Sequence, residues 1–258
     1  MRITKIICVS VTELGLCACV KDYSLAPPPG GQMVEAKVKV PKELIPKVVE
    51  VVYRSSKCKR IRYGASGQRV ELDGFHAIDL SLQLEARNGI YRVAIPKDGG
   101  GKCEWKLSNI AFGVAYPEPN SFGAGVGYGV GGGVVVKFDD NRAARSAGYA
   151  TEVAGDLIIK KDYYPRLSER YIGGFRRTIN LLGEGSAYVV YKAVTASAVY
   201  FEPILHSDYV VKTIGPKVQK YRDYPDVLYP DGSFEPDRPW GPDFRKLRAI
   251  RLSAEGRK

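Results

Sequence analysis

The chain has 258 residues, 45% of them hydrophobic, and a formal net charge of +11. That length gives one or two domains with ample buried core. Only two histidines and five cysteines are present, without the clustered spacing that a metal centre or a redox pair requires.

The first five residues, Met1-Arg2-Ile3-Thr4-Lys5, carry two positive charges and no negative one, and Ile6 to Thr12 are mostly apolar. A basic start, a short apolar run and then small residues form the order of a secretory signal. The run is far shorter than the roughly 20 residues that a membrane-spanning helix needs. Glu13 places a carboxylate where hydrocarbon makes it costly, so an ordinary N-terminal strand is the alternative reading. Leu16-Cys17-Ala18-Cys19 resembles the lipobox of bacterial lipoproteins, in which a small residue precedes the cysteine that receives lipid. The resemblance implies a signal peptide at residues 1–18, lipidation of Cys19, and a periplasmic protein held to a membrane, the outer rather than the inner. Residues 19–34 contain Ala-Pro-Pro-Pro-Gly-Gly and suit a tether.

If Cys8 and Cys17 leave with the signal and Cys19 carries lipid, Cys58 and Cys103 remain. An oxidising compartment favours a disulfide between them; two buried free thiols are the alternative.

Beyond the tether the pattern is that of strands. Ile78, Leu80, Leu82 and Leu84 alternate with polar residues, Asn88-Gly89 follows, and Tyr91, Val93 and Ile95 alternate again, which predicts a hairpin. Cys103, Trp105 and Leu107 share one face; the phase then shifts at Ser108-Asn109 to Ile110, Phe112 and Val114, as a bulge would cause. Residues 35–120 therefore read as a β-domain with the disulfide. Residues 121–216 read as a glycine-rich segment and a second β-rich unit with strands at 188–191, 198–201 and 209–211, unless both share one sheet system. The fold expected is mainly β, antiparallel and sandwich-like, with little helix. RAARSAGYATEVAG (142–155) is the single helix candidate.

Gly123, Gly125, Gly127 and Gly129 alternate with larger residues, which predicts a strand with one bare face open to another backbone or a large ring. A flexible loop and a phosphate-cradling loop are the other readings, the last weakened by the missing Lys-Ser/Thr pair and helix start. The Tyr-, Pro- and Asp-rich segment 217–258 is expected to wrap the body in extended form, turning at Asp231-Gly232, or to bind a partner.

Catalytic residues are sparse. His76 and His206 have Asp79 and Asp208 nearby in sequence, and Ser207 adjoins His206, yet no Gly-Xaa-Ser-Xaa-Gly elbow is present. No catalytic set, metal or cofactor is expected. The sharpest cationic cluster is Lys57, Lys59, Arg60 and Arg62 with Tyr63, and Trp240 is the aromatic candidate for an interface. These residues point to a protein partner, for instance an acidic secreted effector, and not to nucleic acid. In format (lipobox signal, tether, disulfide-bearing β body) the chain is similar to the lipoproteins that neutralise type VI secretion effectors. That resemblance implies an immunity protein that occludes its effector. The competing class is a structural or assembly lipoprotein of the envelope.

Overall fold

The computed structural model describes residues 22–85, 88–141 and 150–256. The expected signal peptide, Cys19 and residues 142–149 of the expected helix lie outside the described residues. The first strands are Met33–Lys39 (β1), Ile45–Pro46 (β2), Val49–Tyr63 (β3), Arg69–Leu80 (β4), Gln83–Leu84 (β5) and Ile90–Pro96 (β6). Next come Asp98–Gly100 (β7), Trp105–Ala115 (β8), Val126–Tyr128 (β9), Gly132–Lys137 (β10), Thr151–Glu152 (β11) and Leu157–Arg170 (β12). Arg176–Gly183 (β13), Tyr188–Lys192 (β14), Ala198–Leu205 (β15), Val211–Ile214 (β16), Asp226–Leu228 (β17) and Phe234–Glu235 (β18) follow. The last element is helix α1, Phe244–Glu255.

These strands form a sandwich of two sheets. One has the order β18-β17-β16-β12-β15-β1-β6-β5, with β13 beside β12 and β9 beside β13. The other has the order β11-β14-β10-β8-β3-β4, with β2 and β7 on β8. Each sheet draws strands from both sides of residue 120, so the two β-rich units are the sheets and not consecutive halves of the chain. The sheets are also mixed: β15 runs parallel to β1 and β12, and β14 runs parallel to β10. Alternation reports which face is buried and is silent on a neighbour's direction, so the antiparallel expectation holds for only part of each sheet.

The core lies between the sheets. Val34, Ala36 and Val38 of β1, Val199 and Phe201 of β15, and Ile159 and Tyr163 of β12 face Val49, Val51, Ile110, Phe112 and Val134 of the other sheet, all in one buried cluster. Phe201 meets both Phe112 and Tyr163 edge-on at 6.4 Å between ring centres. Burying each such side chain stabilises the fold by roughly 1.5–3 kcal/mol.

The predicted phase shift is a bulge: Val52 pairs with Asn109 and Tyr53 with Leu107, which leaves Ser108 as the extra residue. The Asn88-Gly89 hairpin joins β5 and β6, with Gly89 at φ 74. The alternating run before it is split, however. Ile78 and Leu80 end β4 in one sheet, while Gln83 and Leu84 belong to the other.

Within the stretch the close approach expected of the glycines is met at Gly129, where a Cβ would stand 2.4 Å from the Ile179 carbonyl oxygen; approach to an aromatic ring lies further along the chain. Only Val126–Tyr128 of that stretch is strand, and Gly123 and Gly125 have positive φ. A Cβ on Gly132 would stand 2.5 Å from the Tyr163 ring, and one on Gly133 2.6 Å from the Tyr188 ring. The bare backbone that admits a ring is therefore β10. Of the helix candidate, the described residues Thr151 and Glu152 are strand β11.

Both ends of the described chain pack on the sandwich. The Trp105 indole donates to the Tyr23 carbonyl (3.1 Å), and the Ala26 amide donates to Gly99 (2.8 Å), so residues 23–26 of the tether lie on the body. At the other end, β17 and β18 extend a sheet edge, and the Gly232 amide closes their turn onto Tyr229. Asp231-Gly232 turns the chain where expected. Helix α1 then covers the outer face of the same sheet, with Leu247 fully buried beside Tyr164, Val211 and Val227.

Candidate functional site

Strand β3 has 15 residues, but only Glu50 to Arg54 pair with β8. Beyond Arg54 it has only β4 beside it, in the register Arg60↔Leu72, Ile61↔Glu71, Arg62↔Val70 and Tyr63↔Arg69. The outer half of this hairpin is therefore a two-stranded ribbon beyond the sheet. Opposed residues share a face, so one side carries Arg60, Arg62, Val70 and Leu72, and the other Ile61, Tyr63, Arg69 and Glu71. Both are open to solvent: Tyr63 is 72% exposed, Ile61 48% and Leu72 41%.

A two-stranded ribbon is marginal by itself, and three features secure its base. The strand bulges between Ser55 and Arg60. The buried Ser55 hydroxyl organises that bulge: it donates to the Cys103 carbonyl and accepts from the amides of Lys57 (3.1 Å) and Cys58 (2.9 Å). Cys58, which packs against the core at this bulge, is disulfide-bonded to Cys103 with 5.3 Å between Cα atoms. The bridge joins the root of the ribbon to the loop before β8.

The predicted cationic residues thus sit together on this ribbon, with uneven freedom. Lys57 pairs with Glu104, Lys59 reaches Glu71 at 4.0 Å, and Arg69 holds the same Glu71 at 2.9 Å. Arg60 lies over the Phe75 ring, 4.5 Å from its centre. Arg62 has no ion pair among the described residues. Five cations and two carboxylates occupy residues 57–73, so a cationic surface interleaved with exposed apolar side chains results.

Trp240 is elsewhere. It is 93% exposed and stands at the rim of a groove of about 900 Å³ on the outer face of the other sheet, beyond α1. Arg166, Ser168 and Arg170 of β12 and Thr213 of β16 floor this groove, and segments 219–225 and 238–241 wall it. None of Lys57, Lys59, Arg60, Arg62 and Tyr63 lines it, so the structure separates Trp240 from the cluster with which it was grouped. Ser55, Gly74 (a Cβ there would lie 1.9 Å from the Cys58 carbonyl oxygen) and Arg166 are not singled out by the sequence. Only in the fold do they acquire a bulge, a crossing carbonyl and a groove.

The histidines have structural partners. His206 Nε2 lies 2.8 Å from Asp162 Oδ1 and its ring stacks on Tyr164 at 4.9 Å. Its carboxylate partner is therefore Asp162 from β12 and not the neighbouring Asp208. His76 packs its ring 5.6 Å from Trp105. Among the described residues, no group of three His, Cys, Asp or Glu side chains is placed to hold a metal ion. No helix among them is long and apolar enough to cross a membrane.

Comparisons with protein-family models, with curated proteins and with solved structures found no match to this chain.

Proposed function

We propose that this protein is a lipid-anchored envelope protein that binds an acidic protein partner through the β3–β4 ribbon, without chemistry of its own. The carrying observation is the ribbon itself: a cationic hairpin that exposes Ile61, Tyr63, Val70 and Leu72 beyond the sheet, fastened at its root by the Cys58–Cys103 disulfide. Large apolar side chains left in solvent on a rigid projecting element suit an interface that excludes water on contact. The surrounding positive charge accelerates approach of an acidic surface, while the buried apolar residues set the rate of departure. The lipobox-like residues before Cys19 support anchoring, and the format shared with type VI immunity lipoproteins supports occlusion of a secreted effector as the purpose.

The test is kinetic. A partner recovered by pull-down from periplasmic extract should associate more slowly with the Lys59→Glu/Arg60→Glu/Arg62→Glu variant, and with weaker salt dependence, while the unfolding midpoint stays put. Unchanged association kinetics would remove the ribbon from the interface. Metabolic labelling with a fatty-acid analogue should mark the wild type and spare Cys19→Ser; equal labelling of both would remove the anchor.

A further inference from the structure

The groove beyond α1 has a charge pattern that the ribbon does not explain. Arg166 lies in the middle of the sheet, between Asn180 of β13 and Val211 of β16. Its side chain stands on the outer face, beside the α1 cluster that contains Val211. Arginines so placed are normally matched by a carboxylate or by carbonyl oxygens, because a desolvated guanidinium without partners is costly. This one has neither among the described residues. Its Nε is shut off from solvent with no hydrogen-bond partner, and burial lowers the guanidinium below the usual arginine range. Gly241 of the segment that walls the groove comes near it: its φ is 70, and a Cβ there would lie in ordinary contact, 3.9 Å from Arg166 Nη1.

Arg170, Lys220 and Arg222 line the same groove, and none has an ion pair among the described residues. The other lining arginine, Arg238, is matched by Glu235 at 3.2 Å. Of the two lining carboxylates, Glu169 is held by Arg177 at 3.2 Å, which leaves Asp223 against four unmatched cations. A cavity of this size accommodates a small organic molecule, and a cluster of this charge calls for more than one negative charge. The planar guanidinium fork fits phosphate oxygens two at a time.

We infer that this groove binds a phosphate-bearing ligand, with the half-buried Arg166 as the anchor on its floor and Arg170, Lys220 and Arg222 as the outer cations. Trp240 and Tyr224 offer the body of such a ligand a flat wall at the rim. The phosphate comes either from a soluble phosphate ester or from a lipid headgroup, and the same chemistry recognises both. The inference is independent of partner binding at the ribbon, which lies on the other sheet.

Inorganic pyrophosphate is the probe, titrated calorimetrically into the purified full chain. One-to-one saturable binding is expected, weakened at least about tenfold by Arg166→Gln and unchanged by Lys59→Glu/Arg60→Glu/Arg62→Glu. Should Arg166→Gln lower the unfolding midpoint, the solvent-facing pair Arg170→Gln/Lys220→Gln decides by the same loss of affinity. Sedimentation with phosphatidylglycerol–phosphatidylethanolamine vesicles separates the sources, using protein that carries Cys19→Ser. Retention that pyrophosphate competes away identifies a headgroup, and pyrophosphate binding without retention identifies a soluble ester. The inference is overturned by absence of saturable pyrophosphate binding, by equal binding of a folded Arg166→Gln, by citrate binding as tightly as pyrophosphate, or by loss of binding in the ribbon variant.

Discussion

The carbonyl oxygen of Cys58 stands 1.9 Å from the point that a Cβ on Gly74 would occupy. The bulge that carries Cys58 towards Cys103 therefore presses its own backbone onto the opposite strand, and only a residue without a side chain admits it. The Trp105 ring closes the remaining space 3.6 Å from the same point. Gly74→Ala must push the bulge away and disturb the disulfide root with it. A loss of about 1–3 kcal/mol is expected, the usual cost of overpacking a well-filled site, measured as a lowered denaturant midpoint. A wild-type midpoint would show that the bulge yields freely.

The disulfide ties the exposed ribbon to the core, where Cys103 is fully buried and Cys58 packs against it. Its two cysteines are 45 residues apart in sequence, and closing such a loop restricts the unfolded chain by about 4 kcal/mol on the chain-entropy model. The Cys58→Ser/Cys103→Ser variant is expected to lose a sizeable part of that, with amide exchange rising first in residues 57–73. Thiol trapping under denaturing, non-reducing conditions, read on the peptides that contain Cys58 and Cys103, should find neither free. Uniform exchange along β3 in the variant would mean that the bridge does not anchor the ribbon.

Lys161 makes stability depend on pH in an unusual direction. The side chain is 8% exposed, and its ammonium donates to the carbonyls of Glu184 and Ser186. Burial nevertheless pushes its pKa down to about 8, opposed in part by the charge of Glu184. In the unfolded chain it returns to about 10.4. Between these values the unfolded chain holds more protons than the folded one, so stability rises with pH across that window. Below pH 8 the cost of burying the charge is fully present. Buried tyrosines act in reverse: burial pushes Tyr53 up to about 12, so its contribution is lost only as pH climbs from about 10. Unfolding midpoints should therefore rise between pH 8 and about 9.5 in the wild type and stay flatter in Lys161→Met. Parallel curves would assign the rise to other groups.

What could be read from residues alone follows the reach of each signal. Period-two alternation marks buried faces, and it located β6, β8 and even the bulge at Ser108, while short β-branched and aromatic runs located β14 and β15. It carries no information on partners. The run from Ile78 to Leu84 therefore looked continuous although the chain changes sheets within it, and parallel neighbours went unseen. The ribbon was visible as a charge cluster, because Lys57 to Tyr63 are adjacent in sequence. The groove was not, because Arg166, Arg170, Thr213 and Gly241 converge only after β12 has acquired β16 and the C-terminal segment has folded over both. Helix α1 was missed for a different reason. Asp243 and the three-residue spacing of Phe244, Leu247 and Ile250 are a legible start signal, but proline and aromatic residues just before it made the whole tail look extended.

That helix supplies the last prediction. Asp243 caps it by accepting from the amides of Arg245 (2.8 Å) and Lys246 (3.4 Å). Leu247 then carries the docking, since it is fully buried among Tyr164, Val211, Val227 and Tyr229. Asp243→Ala should cost about 1 kcal/mol, the usual worth of an N-cap. Leu247→Ala should cost about 2–5 kcal/mol, because the site loses its central side chain and the sheet beneath cannot collapse to fill the space. The two losses differ in kind. Fraying at the cap leaves Leu247 in place, whereas the cavity loosens the whole helix from Tyr164, whose hydroxyl accepts from Arg251 at 3.1 Å. Hydrogen exchange should therefore report fast amides through Arg251 in Leu247→Ala and only at the first turn in Asp243→Ala. If both variants exchange alike, the cap and the core contact act as one unit, and Leu247 is not what holds α1 to the sheet.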